Sequence, residues 1–276
     1  MSNKVEIGST GLFVNPIGLG TNAVGGHNIF PNLKDETGKE TGQRANVVLA
    51  TKGGQKYMND KMEVDNSPKF LRETVENSLR RLQTDYIDLF YIHFPDEQTP
   101  KYEAVGELHR LKEEGKIRSI GVSNFSMDQL REGNKDGYIE VIQSGYNLFK
   151  RDAEDDLIPY SLENNISFIP YFPLASGLLT GKFSPNSTFE DGRAKNPLFQ
   201  GDAFIQNLNK VDELKAIANN KHVAVSNLVL AWYLKQESID VVIPGAKRPE
   251  QVLENIKTLE IELSKDEINK ISSIFH

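Results

Sequence analysis

The sequence predicts an α/β fold built on a parallel sheet, and three observations lead there. Apolar, β-prone runs alternate with amphipathic helical stretches at intervals of roughly 30 residues, the spacing of βαβ units. The run Asp85-Tyr-Ile-Asp-Leu-Phe-Tyr-Ile-His93 is mostly branched or aromatic, as in a strand buried on both faces. No Gly-x-Gly-x-x-Gly opens the first crossover, so a Rossmann phosphate loop is not visible. The 276 residues read as a single domain, 1–276, near the size of a (β/α)8 barrel, about 250 residues. Seven core strands are counted, starting near residues 16, 47, 85, 117, 139, 166 and 240. A closed barrel takes eight, and an open doubly wound sheet is the alternative.

Taken in order, Val5 to Val14 reads as a hairpin around Gly8-Ser-Thr-Gly11. Pro16 to Thr21 is a short buried strand entering a Gly/Asn-rich loop, Asn22 to Pro31, whose glycines let a ligand approach the backbone or form an ordinary loop. Asp35 to Glu40 looks like a first helical turn, yet Thr41 to Asn46 is already a loop leading into a strand, with no apolar stripe between. Val47 to Gly54 is a buried strand carrying Lys52 near its end. Helix Pro68–Leu82 has Ser67 as N-cap, Pro68 in its first turn and Leu71, Val75, Leu79 and Leu82 on one face. After strand 85–93, helix Tyr102–Glu114 stops at Gly115. Strand Ile117–Asn124 precedes a helix opened by a Ser126/Gln129 capping box. Strand Ile139–Gln143, helix Glu154–Asn164 and strand Ile166–Phe172 follow. A long loop, Pro173 to Gly201, is of the length that is usually functional. Helices Asn207–Ala218 and Ala224–Gln236, the last strand Asp240–Gly245, and helices Pro249–Lys257 and Ser264–Ile274 complete the pattern, the final one with a Ser264/Glu267 capping box.

Composition narrows the classes of function. Hydrophobic residues are 38% and charged residues 26%, enough for a sizeable core in a globular chain. No apolar run reaches membrane-spanning length, and Met1 to Glu6 lacks the apolar region of a secretory signal, so a cytoplasmic protein without a membrane partner is expected. The absence of cysteine excludes disulfides, thiolate catalysis and cysteine-bound metal. A net charge of −7 argues against a nucleic-acid partner. His27, His93, His109, His222 and His276 show no ligand spacing, so no metal is expected. His93 stands out because carboxyl ends of parallel strands are where α/β folds bind ligands.

The segments Gly18-Leu-Gly-Thr21, Leu49-Ala-Thr-Lys-Gly53, Ser78-Leu-Arg-Arg-Leu82, Asp85-Tyr-Ile-Asp88 with His93, Lys116 to Phe125, Gln143, Tyr171 to Gly177 and Ile243 to Pro249 together resemble the aldo-keto reductases, in particular a bacterial general-stress and inositol-operon-like branch. Each is weak alone, but their order and spacing are specific and cover nearly the whole chain. The resemblance implies a (β/α)8 barrel that binds NADPH without a Rossmann domain and reduces aldehydes or ketones, its partner being a small carbonyl compound. Lys52 matches the lysine whose ammonium lowers the pKa of an acid tyrosine. His93 matches the histidine that hydrogen-bonds the substrate carbonyl. Ser123, Asn124 and Gln143 match the set that binds the cofactor carboxamide, which needs both donors and acceptors. Tyr171 matches the ring stacked on nicotinamide. Leu174, Ser176, Gly177, Leu178 and Lys182 match the loop over the pyrophosphate. Gly245, Ala246, Lys247 and Arg248, then Gln251, Glu254 and Asn255, match the adenosine end, where Lys247 and Arg248 precede a helix N-terminus that favours anions. Gly20 and Thr21, ending the first strand, complete the cofactor set.

The family's aspartate and acid tyrosine have no match between Gly20 and Val47. One βα unit, on the order of 30 residues, is missing where the helix start at 35–40 meets the loop at 41–46. Glu40 and Thr41 are therefore expected not to be bonded neighbours in the folded protein. Tyr57, in a polar loop, is not assigned the acid role. Two functions stand: an NADPH-dependent carbonyl reductase, or an NADPH-binding barrel with little catalysis.

Overall fold

The computed structural model of the protein describes residues 4–21, 44–58 and 61–276. The Glu40–Thr41 junction and the loop 22–31 lie outside the described residues. The chain divides into two compact units. The first comprises Met1–Asn15, Gly38–Ser144 and Asp152–Ile169, the second Pro16–Thr37, Gly145–Arg151 and Pro170–His276.

The first unit opens with the expected hairpin, β1 (Val5–Glu6) against β2 (Phe13–Val14), antiparallel. Its centre is a sheet of β3 (Ala50–Gly53), β6 (Ile87–Ile92), β7 (Ile117–Ser123), β8 (Val141–Gly145) and β9 (Ser167–Tyr171), in that spatial order. The pairings β3–β6, β6–β7 and β7–β8 are parallel. All six residues of β6 are buried, as its unbroken apolar run requires. Its one carboxylate, Asp88, is 2% exposed and is compensated by the Leu49 N–H at 3.0 Å, Arg44 at 2.7 Å and Arg118 at 3.1 Å.

The helices follow their sequence signals. The Ser67 hydroxyl accepts from Phe70 N at the start of α1 (Pro68–Leu82), which buries Leu71 and Val75 completely. Each such side chain contributes about 1.5–3 kcal/mol of burial. Helix α2 (Lys101–Glu113) buries Ala104, Val105, Leu108 and Leu111, and the chain leaves it through Gly115 at φ +75°. The Ser126/Gln129 capping box opens α3 (Met127–Gly133) as expected. Helix α4 (Leu157–Glu163) is shorter than predicted, because the stretch before it is a 3-10 turn, Asp152–Glu154, and Asp156 is the cap.

Three strand expectations need correction. The strand expected at Val47–Gly54 begins at Ala50, because Arg44–Asn46 form a 3-10 turn that leaves Val47 53% exposed. It is not buried on both faces; among the described strands it lies at the edge of the sheet. The strand expected at Ile139–Gln143 is shifted to Val141–Gly145. The loop expected after Lys52 contains an antiparallel hairpin, β4 (Gln55–Met58) with β5 (Lys61–Val64).

In the second unit the strands expected at Pro16–Thr21 and Asp240–Gly245 meet as parallel bridges, Ile17 with Val242 and Gly20 with Gly245. Gly18 N donates to Val242 O at 2.8 Å and Val242 N to Pro16 O at 3.0 Å. The loop after β9 holds 3-10 turns at Ala175–Thr180, Gly192–Lys195 and Pro197–Phe199. Helix α5 runs Gly201–Asn220, six residues earlier than predicted, since Phe204 already belongs to its buried stripe with Leu208 and Val211. Helix α6 (Val225–Tyr233) is buried from Asn227 onward. Helix α7 (Pro249–Ile256) is tied to it by Asn227 Nδ2 donating to Glu254 O at 2.7 Å. The Ser264/Glu267 capping box opens α8 (Lys265–Ser273). Among the described residues no helix is long and apolar enough to cross a membrane.

Candidate active site

The first unit carries Lys52, His93, Ser123, Asn124 and Gln143, and brings them to one end of the sheet. Lys52 on β3 pairs in register with Tyr91 on β6, and Ser123 on β7 with Gln143 on β8. Opposed residues of a sheet project from the same face. His93 follows β6 directly, its N–H donating to Gly53 O at 2.9 Å. Asn124 adopts φ +61°, and its side-chain amide donates to His93 O and to Ser123 Oγ, both at 3.0 Å. Ser123 and Gln143 are almost wholly buried. The His93 imidazole stacks on Phe94 with ring centres 4.6 Å apart. Burial, and second the nearby Lys52 charge, lower its pKa to about 4, so at neutral pH it is a neutral imidazole with one N–H to donate. Burial also holds the Lys52 ammonium below its ordinary pKa.

A buried polar clasp behind His93 fixes the two strand ends. Asn66 N donates to Asp96 Oδ2 at 2.6 Å and Asp96 N to Asn66 Oδ1 at 2.8 Å, while Asn66 Nδ2 donates to Phe94 O at 3.1 Å. Asp96 also accepts from Thr99 N and Oγ1, each at 2.8 Å. The Lys101 ammonium donates to the carbonyls of Asp96 and Thr99 and stands 3.5 Å from Asp96 Oδ1. Asn66, Asp96, Thr99 and Lys101 are all at most 9% exposed. Burial alone would raise the Asp96 pKa; the N–H groups of Asn66 and Thr99, the Thr99 hydroxyl and Lys101 together hold it below the ordinary range. No periodicity announces this clasp, and the sequence reading missed it.

The second unit carries the remaining predicted residues. Tyr171 ends β9, and its ring covers Gly145, where a Cβ would stand 3.0 Å from it. Ala175, Ser176 and Gly177 have φ of 46°, 54° and 94° in succession, so the chain between Leu174 and Leu178 curls tightly, with Gly177 N donating to Leu174 O at 2.8 Å. The Lys182 ammonium lies over this curl, 3.4 Å from where a Gly177 Cβ would be. Burial lowers the Lys182 pKa, and the charges of Arg193 and Lys247 lower it further. Arg193 is thus a third cation beside two predicted ones, and its loop offered no local pattern to find it by. At the adenosine end Gln251 Oε1 accepts from Lys247 N at 2.7 Å, and Glu254 pairs with Lys257 at 2.7 Å. Arg248 is exposed and stands immediately before Pro249 at the start of α7; Ala246 is buried and Asn255 half-buried. Gly20 and Thr21 lie at and just after the bridge to Gly245.

Within each unit, the chemistry of these groups suits a part of a nicotinamide dinucleotide. Lys182 and Lys247, beside an Arg193 that Asp191 holds at 2.6 Å, form a cationic group that suits a polyanion. A flat ring over a glycine suits stacking, and a Ser/Asn/Gln set suits a primary amide.

The parallel strands and the helices between them define an α/β fold, and the comparisons give its family. The Aldo/keto reductase family model matches residues 31–275, and the chain belongs to that family. The aldo-keto reductase YhdN of Bacillus subtilis is 40% identical over 217 residues, which span 78% of this chain and 66% of that relative. The NADH-specific methylglyoxal reductase of Escherichia coli is 32% identical over 95% of this chain and 94% of the relative. That alignment runs over 308 positions, more than the 276 residues here, so the relative carries stretches without a counterpart in this chain. Among solved structures, the glycerol dehydrogenase AKR11B4 from Gluconobacter oxydans superposes with a TM-score of 0.88 at 30% identity, over 99% of this chain and 95% of that one. The fold class is the (β/α)8 barrel, and the family uses a nicotinamide cofactor.

Proposed function

We propose that the protein is an NADPH-dependent reductase of small aldehydes or ketones. The observation that carries this reading is the gathering of Lys52, His93, Ser123, Asn124 and Gln143 at one end of adjacent strands. When bound, the nicotinamide supplies the hydride. His93, held neutral, donates its N–H to the substrate carbonyl oxygen and polarises it. Ser123, Asn124 and Gln143 orient the carboxamide, and the Tyr171 ring supports the flat face of the cofactor. Lys182, Arg193, Lys247 and Arg248 neutralise phosphate charge. Lys247 and Arg248 beside the start of α7 favour a 2′-phosphate, hence NADPH, although the E. coli relative is named NADH-specific.

A second reading rests on one observation: the sequence holds no tyrosine between Gly20 and Val47. Loss of a general acid typically costs about 10²–10⁴ in rate. An NADPH-binding protein with little turnover follows from that. The discriminating experiment mixes protein-bound NADPH with an aromatic aldehyde and follows absorbance through a single turnover, with NADH in parallel. Oxidation of the bound cofactor supports the reductase. Tight binding without oxidation leaves the binding protein.

A further inference from the structure

Lys52 has a neighbour that no catalytic scheme above uses. Lys52, Tyr91 and Gly121 occupy directly opposed positions on three adjacent strands, β3, β6 and β7. Their side-chain directions therefore coincide. On one side of the Tyr91 ring stands the Lys52 ammonium, Nζ 5.6 Å from the ring centre. On the other side is the bare backbone of Gly121, where a Cβ would run into the ring. Tyr91 is 2% exposed. His93 lies two residues further along the same strand direction, so it projects from the same face.

A tyrosine beside the family's lysine invites the acid role, and the geometry excludes it for Tyr91. A proton donor must reach the substrate oxygen and have its pKa drawn down toward working range. Tyr91 is sealed within the sheet, and burial pushes its hydroxyl pKa up. It stays neutral, so the ring meets Lys52 through its π face rather than as an ion pair. Such a contact strengthens when both partners leave water.

We propose that Tyr91 is the positioning residue of Lys52: its ring, seated in the gap left by Gly121, holds the ammonium at the sheet face from which His93 projects. The side chain of Lys52 is long and flexible, with four rotatable bonds. The ring supplies an attractive surface at one point along that reach, and Gly121 keeps the ring from being displaced. Gly121 is then required by the Tyr91 ring and not by its own backbone conformation, which is ordinary extended strand.

This inference deepens the reductase reading, which gives Lys52 its work, but its test needs no turnover. Among the described residues Lys52 is the charged group that, after burial, depresses the His93 titration, and Tyr91 beside it is neutral. The His93 midpoint therefore reports where the ammonium stands. It is followed by nitrogen-15 NMR in the full-length protein and in Tyr91→Phe, Tyr91→Leu, Lys52→Met and the Tyr91→Leu/Lys52→Met double variant, each checked for folding by circular dichroism. Tyr91→Phe, which keeps the ring, leaves the midpoint where it is. Tyr91→Leu raises it, by an amount approaching that of Lys52→Met, and adds nothing in the Lys52→Met background. If Tyr91→Leu does not fold, Tyr91→Met fills the same space without a ring and takes its place. An unchanged midpoint in the ringless variant, or equal shifts with and without Lys52, overturns the assignment. A protein that fails to oxidise NADPH but shows the predicted cycle loses the reductase reading and keeps the Lys52–Tyr91 pair.

Discussion

Replacing Asp96 by alanine removes the acceptor at the centre of the buried clasp and leaves Lys101 charged, 5% exposed, with only two carbonyls to bond. Breaking one side of a buried ion pair costs about 3–5 kcal/mol. The lost bonds from Asn66 N, Thr99 N and Thr99 Oγ1 belong to the same disruption and are taken within that range. Against a domain stability of about 5–15 kcal/mol, Asp96→Ala is expected to lose about 3–4 kcal/mol in urea denaturation followed by circular dichroism. Adding Lys101→Met removes the stranded ammonium and fills its volume, so the double variant should recover about 1–3 kcal/mol relative to Asp96→Ala alone. The sign with pH follows from the depressed pKa of the folded carboxyl. Unfolded chains take up this proton first on acidification, so the stabilisation is complete above the ordinary carboxylate range. It drains as pH falls from about 5 through the folded pKa. Asp96→Asn, which has no such proton, should therefore show a shallower acid slope than the parent protein. A loss below about 1 kcal/mol in Asp96→Ala, or a double variant less stable than the single one, would refute the clasp as the anchor of this loop.

Four shorter expectations accompany it. His93 is neutral down to about pH 4, so kcat/KM should stay flat between about pH 5 and 7, whereas a step near 6.5 would show an ordinary, solvated imidazole. The Lys247→Ala/Arg248→Ala variant should lose most of its preference for NADPH over NADH in fluorescence titrations; equal loss for both would mean the pair does not read the 2′-phosphate. Gly145→Ala places a Cβ 3.0 Å from the Tyr171 ring and should weaken cofactor binding severalfold while leaving thermal stability within about 1–3 kcal/mol. Leu71→Ala, at a site with no exposure, should cost about 2–5 kcal/mol in the same urea assay.

The architecture was legible wherever a local pattern had one physical cause. The buried run 87–92, the capping boxes at Ser126 and Ser264, the Ser67 cap and the Gly115 stop are each dictated by a few adjacent residues. Tertiary decisions escaped. Val47 reads as a strand residue, but the chain turns at Arg44–Asn46 because Arg44 is drawn into Tyr86 and Asp88. The start of α5 was missed because Gly201 and Asp202 look like loop and no side chain caps the helix. In the site, strand-end residues such as Lys52, His93 and Gln143 could be placed, since strand direction alone sets which end they reach. Arg193 and the Asn66–Asp96 clasp depend on how loops fold back, which no spacing encodes. Lys247 and Arg248 were legible as a pair, while the bond from the Lys247 N–H to Gln251 Oε1 follows from how the chain turns into α7.

The bridge from Ile17 to Val242 and from Gly20 to Gly245 also sets an order of events during synthesis. The second unit draws its first strand from near one end of the sequence and its last from near the other, with roughly two hundred residues between them. At about 5–20 residues per second, the ribosome delivers the partner of Pro16–Gly20 on the order of tens of seconds after that segment emerges. Pairing so remote in sequence is slow to form in any case. For that interval the first strand has apolar Ile17 and Leu19 and unpaired backbone groups, and it is exposed to wrong partners. Its brevity, with a proline at one end and two glycines within, limits how well a stray strand can add to it.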